Sequence, residues 1–148
     1  MSQQHVETVK RLFEAVRRRD QAALLEAYHP EVVIHEAPSL PYGGDFYGHE
    51  GAIQHVNGFY RTWEAYKTRE LIEEARREYP AIFLETTEDY VVVFGRNTAV
   101  APWSGRKMDI PEVFVFKMRD GKVIESWMLN QDTVAILEFL KEAQQQAP

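Results

Sequence analysis

The chain has 148 residues, of which 45% are hydrophobic and 12% aromatic, enough to build the core of one domain of ordinary size. Its 23 acidic and 17 basic residues give a formal net charge of −6. This argues against general nucleic-acid binding, because phosphates need a basic surface. Cysteine is absent, which excludes disulfides, thiolate catalysis and cysteine-ligated metals. The N-terminal residues are charged throughout and no apolar stretch reaches the ~18 residues of a membrane span, so we expect a cytoplasmic protein without signal peptide or membrane segment.

Helical periodicity dominates the first part of the chain, where apolar residues recur at three- and four-residue spacing. Asp20 is placed to cap a second short helix, and a β-branched run follows it. The pattern predicts helices over 4–19 and 21–28, a strand over 31–37, a glycine- and proline-rich loop over 38–49, and a third helix that starts at Gly48 or His49.

Strand periodicity dominates the second part. Residues 64–79 are highly charged and suit either a continuation of the third helix or a separate helix, which Pro80 ends. Four strands and a final helix follow, with the hairpin signal Asp120-Gly121 between the last two strands. The predicted strands are 81–86, 90–101, 108–118 and 122–131, and the predicted helix is 133–145. Helices followed by an antiparallel meander indicate an α+β domain, with helices packed on one face of the sheet.

Two of these strands, which contain VVVF and VFVF, lack alternation between apolar and polar residues. We therefore expect both faces of the sheet to be covered. Helices cover one face, and a second subunit is the simplest cover for the other.

Three stretches carry a family resemblance. They are the turn from Asp20 through YHPEVV (28–33), the sequence FYGHEGAI (46–53), and FVFKMRDGKVI (114–124). With the order of the elements, they resemble the NTF2-like superfamily, and within it SnoaL-like, ketosteroid-isomerase-related proteins. The resemblance covers about residues 5–140 and implies one domain over 1–148, with 64–79 as a helical insertion.

The resemblance implies an NTF2-like (cystatin-like) cone, in which a curved antiparallel sheet and helices enclose a deep apolar pocket, and a homodimer formed through the outer sheet face. It also implies proton-transfer catalysis without a cofactor, of isomerase or cyclase type, on a small hydrophobic molecule that is cyclic or polyketide-like. The alternatives within the same fold are a non-catalytic protein that binds a hydrophobic ligand, and a dimeric scaffold.

By resemblance, Glu36 lies at the position of the carboxylate that moves the proton in ketosteroid isomerase. Strand alternation places it on one face with Val32 and Ile34. A carboxylate in an apolar pocket is a usable base near neutral pH, because desolvation disfavours its charged form. The alternative for Glu36 is a solvated side chain at the end of a strand.

Glu112 matches the second isomerase acid, which stays protonated and donates to the developing oxyanion. It shares a face with Phe114, Phe116 and Met118, so it either enters the pocket or lies at an exposed strand end. The isomerase tyrosine on the first helix aligns with Leu12, which leaves the oxyanion hole incomplete.

Asp132 is similar to the acid that follows the last strand in SnoaL-like cyclases, with Asn130 as polar support. It is equally suited to cap the last helix, and the two roles can coexist. The cyclase histidine has no match near Phe116 or Met118.

A pocket of this class needs large apolar side chains and a few polar groups. Histidine spacing does not give the i, i+4 pairing of a zinc motif, so we expect no metal. The aromatic residues of loop 38–49 either close the pocket as a lid or pack as a surface loop. The residues expected to contact substrate are His29, Ile34, Tyr42, Phe46, Tyr60, Trp63, Phe114, Phe116, Met128 and Asn130.

Overall fold

The computed structural model describes residues 2–148, which form five helices and one six-stranded sheet. The helices are α1 (Ser2–Arg18), α2 (Gln21–Ala27), α3 (Gly48–Trp63), α4 (Arg69–Glu78) and α5 (Thr133–Gln145). The strands are β1 (Tyr28–Glu36), β2 (Gly44–Tyr47), β3 (Ile82–Glu85), β4 (Tyr90–Val100), β5 (Lys107–Arg119) and β6 (Lys122–Asn130). The predicted α+β class is confirmed.

The sheet is mixed and has the strand order β2-β1-β6-β5-β4-β3. β1 pairs with β6 in parallel, whereas every other neighbouring pair is antiparallel. The predicted meander describes β3 to β6, but it misses this central parallel pair, because pairing between strands so far apart in sequence leaves no local signal. Register shifts between Lys117 and Met118 and between Tyr28 and Val33 bend the sheet.

Most predicted element ends agree with the structure within two residues, and three regions differ: the start of β1, segment 64–79 and loop 38–49. Strand β1 begins at Tyr28, earlier than predicted, because the register shift accommodates Pro30 inside the strand. The charged segment 64–79 contains a helix separate from α3, and the Thr68 side chain caps it by accepting a hydrogen bond from the Leu71 N–H.

The helices pack on one face of the sheet, called here the inner face. Two apolar clusters fill the space between them. The first joins α1 and α2 to the middle of the sheet, and includes Val9, Leu12, Leu24, Val93 and Phe116. The second joins α3 and α5 to the far ends of β4 and β5, and includes Leu40, Tyr42, Trp63, Ala99, Ile110, Ile136 and Phe139.

Loop 38–49 is an integral part of the second cluster and differs from the predicted loop in two ways. Its last part forms β2, which pairs with β1. Leu40 and Tyr42 are only 4% and 5% exposed, so they are core residues and not a lid, whereas Tyr47 is 66% exposed. Gly43 permits this packing because a Cβ atom there would lie 1.9 Å from the carbonyl oxygen of Ala37.

The opposite face of the sheet, called here the outer face, leaves large apolar side chains exposed. They project from β3, β4 and β6, and they are Ile82, Leu84, Phe94 and Leu129. The lack of polar alternation in these strands therefore reflects two apolar faces, one covered by helices and one open in the single chain. Within residues 2–148, no helix combines the length and the apolar character needed to cross a membrane.

The close approach at Gly43 generates a prediction. Gly43→Ala is expected to lower the free energy of unfolding by about 1–3 kcal/mol, because the obstacle is main chain and cannot move as a flexible side chain would. Urea denaturation measures the change. Gly95→Ala is the control, since its Cβ would meet its nearest neighbour at 3.9 Å. Equal losses in both variants would contradict the close packing of this loop.

Candidate functional site: a cavity with two carboxylates and a lysine

A cavity of about 640 Å³ lies between the inner face of the sheet and helices α1, α3 and α4. Such a volume falls within the usual range for small-molecule sites. Its walls are mostly apolar and come from α1, α3, β5 and β6; they include Leu12, Phe13, Val16, Val56, Phe59, Tyr60, Phe114, Phe116 and Met128.

Glu36, at the end of β1, enters this cavity as a buried carboxylate that is 7% exposed. Its Oε1 atom lies 3.3 Å from Nε2 of His55, which α3 supplies. In the described part of the chain, no donor lies within hydrogen-bond distance of its second oxygen, Oε2. A buried oxygen without a partner is costly, so Oε2 is the atom of Glu36 that a ligand could satisfy.

Tyr42 stands beside this carboxylate, and its ring lies 6.3 Å from that of His55. Burial raises the pKa of the Tyr42 hydroxyl, and the charge of Glu36 adds to this effect. The hydroxyl therefore stays protonated at neutral pH. It is a neutral hydrogen-bond donor next to the Glu36 carboxylate.

Glu112 lines the same cavity from β5. Burial raises its pKa to about 7; the positive charge of Lys67 opposes the shift, and the negative charge of Glu36 adds to it. Glu112 therefore exchanges a proton near neutral pH, the range that general acid–base catalysis requires.

Lys67 reaches the cavity from the short segment between α3 and α4. Its Nζ atom donates to Oδ1 of Asn97 and to the carbonyl oxygen of Thr98, both at 2.5 Å. The Nδ2 group of Asn97 in turn donates to Oδ1 of Asn130 at 3.1 Å. Burial lowers the pKa of Lys67 to about 8, with the Glu112 carboxylate opposing the shift.

The mouth of the cavity carries arginines that are already partnered by carboxylates. Arg17 pairs with Glu14, and Arg19 lies 3.6 Å from Glu64. Arg96 pairs with Asp109 at 2.6 Å, and Arg76 lies 3.8 Å from Glu14, the residue with which Arg17 also pairs.

Most of the residues predicted from sequence line this cavity. The structure brings together Glu36 and Glu112, the two acids placed by resemblance. It also brings the expected contact residues Tyr42, Tyr60, Trp63, Phe114, Phe116, Met128 and Asn130 to the same cavity. The predicted strand alternation thus holds, since Met128 faces inward while its neighbour Trp127 stacks on His35 at the outer face.

Four predicted residues lie outside the lining of the cavity. Ile34 is fully buried in the first apolar cluster, and Phe46 packs against that cluster beside His55. His29 accepts a hydrogen bond from the Glu31 N–H at the start of β1.

Asp132 is the fourth of these residues. Its side chain is exposed and caps α5 by accepting a hydrogen bond from the Ala135 N–H at 3.0 Å. The capping alternative for Asp132 is therefore observed, while its catalytic role stays a prediction that the cavity does not support.

Sequence reasoning missed Lys67 and Asn97, which both line the cavity. Asn97 carried a usable signal, because it interrupts the inward-facing row Val91, Val93, Ala99 just as Glu112 interrupts its own row. Lys67 gave no such signal, since it lies among other charged residues in a segment with no clear period.

No cluster of three or more His, Asp or Glu side chains suited to a metal is present in residues 2–148. His35 lies on the outer face between two carboxylates. Its Nδ1 atom is 2.8 Å from Oδ1 of Asp45, and its Nε2 atom is 2.6 Å from Oε2 of Glu125. Burial alone would lower the pKa of His35, but these two hydrogen bonds outweigh it and raise the pKa.

Comparison with solved structures supports the fold over nearly the full chain. The protein Bal32a from a soil-derived mobile gene cassette superposes with a TM-score of 0.74 at 23% identity, covering 94% of this chain and 98% of its own. TerC, co-crystallized with polyporic acid, gives 0.74 at 23% identity, with 93% and 98% covered. A candidate SnoaL-like polyketide cyclase from Jannaschia sp. CCS1 gives 0.67 at 24% identity, with 100% and 95% covered.

Identities this low establish the fold alone. The superpositions confirm the predicted NTF2-like, cystatin-like fold. A protein from Xanthomonas campestris that is described as having a cystatin-like fold also matches this chain. Among curated proteins, none matches the chain significantly. The sequence profile of the SnoaL-like domain matches residues 9–126, which is most of the chain. The chain therefore belongs to the SnoaL-like family, and its fold is NTF2-like.

Proposed function

We propose that this protein catalyses a cofactor-independent proton transfer, of isomerase or cyclase type, on a small hydrophobic cyclic ketone or polyketide-like molecule. The observation that carries the proposal is the convergence of Glu36 and Glu112 on one apolar cavity, where the two carboxyl groups have different partners. Two acids in different environments are the usual basis for dividing the roles of base and acid.

Glu36 is the proposed base. Its Oε1 is directed by His55, while Oε2 has no donor among the described residues, so this oxygen is available to remove a proton from carbon next to a carbonyl group. The proton moves from the substrate carbon to Oε2, and the electron pair moves to the carbonyl oxygen as an enolate. Return of the proton to another carbon completes an isomerisation.

Glu112 is the proposed acid. Burial keeps its carboxyl group protonated below about pH 7, so it can donate a hydrogen bond to the oxygen on which the enolate charge develops. Tyr42, which lines the same cavity, is a second neutral donor. It supplies a hydroxyl to a cavity that Leu12 also lines, the residue that by family resemblance takes the position of the isomerase tyrosine.

The lining favours a ring-shaped substrate. Aromatic side chains surround the carboxylates, and the cavity has room for a molecule of a few fused rings. The co-crystallization of TerC with polyporic acid supports a small organic ligand only at the level of the shared fold.

A non-catalytic ligand-binding protein is the second candidate. It is favoured by the predominantly apolar lining and by the leucine in place of the isomerase tyrosine. The two candidates differ in one measurable property, the exchange of substrate protons with solvent.

We also propose that a second copy of the chain covers the outer face. Leu129 and Phe94 are 54% and 43% exposed there, and apolar patches of this kind mark association surfaces. Family resemblance supports the same surface, and a homodimer would explain why the outer-face positions are apolar.

The first prediction concerns proton transfer itself. The protein is expected to accelerate exchange of the α-hydrogens of 2-tetralone for deuterium in D₂O, and Glu36→Gln is expected to reduce that rate by about 10²-fold or more. Proton NMR measures the loss of the α-hydrogen signal. The protein-dependent rate is expected to fall as pH rises through about 7, because Glu112 then loses its proton.

Asp132→Asn is the matched control, since asparagine can still cap α5 and lies outside the cavity lining. A stabilising thermal shift without any exchange would favour the binding protein over the enzyme. Exchange that persists in Glu36→Gln would reject Glu36 as the base.

The second prediction concerns the pKa of Glu112. Lys67→Met removes the positive charge that opposes the effect of burial, so the pKa of Glu112 is expected to rise above about 7. Carboxyl ¹³C NMR of glutamate-labelled protein measures it directly. Lys141→Met, which removes an exposed lysine of α5, should leave the titration unchanged. A lower pKa in Lys67→Met would disprove the coupling.

The third prediction concerns association. Leu129→Glu places a charge on the outer face and is expected to convert a dimer into a monomer, as measured by size-exclusion chromatography with light scattering. Val134→Glu is the control, because Val134 is 63% exposed on α5 and not on the outer face. A wild-type monomer would reject the proposal.

A further inference from the structure

The proposed proton transfer assigns no direct role to the ammonium group of Lys67, which lines the cavity. Main-chain hydrogen bonds on either side of Lys67 fix the position of this residue. The Lys67 N–H bonds to the carbonyl oxygen of Trp63 at 2.8 Å, and the Tyr66 carbonyl accepts from Val100 N–H at 3.0 Å. These bonds attach the segment after α3 to the end of β4, so the lysine side chain has a defined position in the cavity wall.

The Lys67 ammonium group is held by neutral partners. Asn97 Oδ1 and the Thr98 carbonyl each accept one of its hydrogens, and the ring of Trp63 lies 4.5 Å from Nζ. The carbonyls and the aromatic ring all favour the positive form. The amide of Asn97 cannot easily rotate away, because its Nδ2 group is bonded to Asn130.

Within residues 2–148, no carboxylate lies at ion-pair distance from this ammonium group. The arginines at the cavity mouth differ in this respect, since Arg17, Arg19 and Arg96 each pair with an acid. An ammonium has three hydrogens, and two are used, so one donor remains. Charges taken out of water normally have a counter-charge in contact.

We propose that Lys67 is the anchor for an anionic oxygen of the ligand, namely the ionised oxygen of an enol or phenol carried on a ring. The inference rests on the proposed function, whose enolate intermediate has such an oxygen, and it narrows the substrate class to cyclic ketones and phenols that ionise readily. The remaining hydrogen of Nζ would donate to this oxygen, and charge-assisted bonds of this type are strong.

The other titratable groups around the cavity are compatible with this role. Glu112 faces it from β5, Glu36 from β1 and His55 from α3. Since burial raises the pKa of Glu112 to about 7, its carboxyl group is protonated on the acidic side of neutrality and does not then compete with the ligand for Lys67. Lys67, with a pKa of about 8, still carries its charge there.

The test uses 4-nitrophenol, whose phenol and phenolate forms differ in absorbance, and 4-nitroanisole as its uncharged analogue. On the wild-type protein, bound 4-nitrophenol is expected to ionise at a lower pH than the free compound. Its phenolate should bind about tenfold or more tightly than 4-nitroanisole, since a charged donor is present. Lys67→Met should abolish both effects while leaving binding of 4-nitroanisole within about twofold.

Lys141→Met is the matched control and should behave as the wild type, because Lys141 is exposed on α5 and not part of the cavity. If Lys67→Met does not fold, as judged by circular dichroism, the two probes on wild-type protein still decide the question. Asn97→Ala then serves as a second variant, with an expected partial loss of phenolate preference.

Two failures are distinguishable. If 4-nitroanisole binds but bound 4-nitrophenol ionises at the same pH as the free compound or above it, the role of Lys67 is rejected and the proposed function stands. If neither probe binds, the cavity does not accept aromatic ligands, and both the inference and the proposed function are rejected.

Discussion

The parallel pairing of β1 with β6 is the constraint on which the rest of the site depends. It brings the end of the first strand into the middle of the sheet, so that Glu36 faces the same cavity as Glu112, which lies far along the chain on β5. Without this pairing the two carboxylates would sit on separate parts of the molecule. The helices then cover the inner face, and the resulting desolvation of Glu112 raises its pKa.

The cavity combines an apolar wall with a polar end, and the two parts come from different elements. Helices α1 and α3 supply most of the apolar wall, whereas the end of β1, the middle of β5 and the segment before α4 supply Glu36, Glu112 and Lys67 respectively. Burial raises the pKa of Glu112 and lowers the pKa of Lys67, because it favours the neutral form of the acid and of the amine alike. As a result, small changes of environment around neutral pH alter the charge of the site, which suits proton transfer.

The outer face and the cavity place different demands on the same strands. In β5, Glu112, Phe114 and Phe116 face the cavity, while the residues between them belong to the outer face. A substitution in this strand therefore acts on one surface or the other according to its position, since side chains alternate along a strand. This separation allows association and ligand binding to be tested by different variants.

Local sequence determined much of this protein. Apolar periodicity, caps and the Asp120-Gly121 turn placed nearly every helix and strand, because these signals act over a few residues. Strand alternation also placed Glu112 beside Phe114 and Phe116 correctly. Tertiary structure alone decided the parallel pair at the centre of the sheet, the burial of Leu40 and Tyr42, and the position of Lys67 in the cavity wall. These features depend on contacts between residues far apart in the chain, which no local pattern encodes.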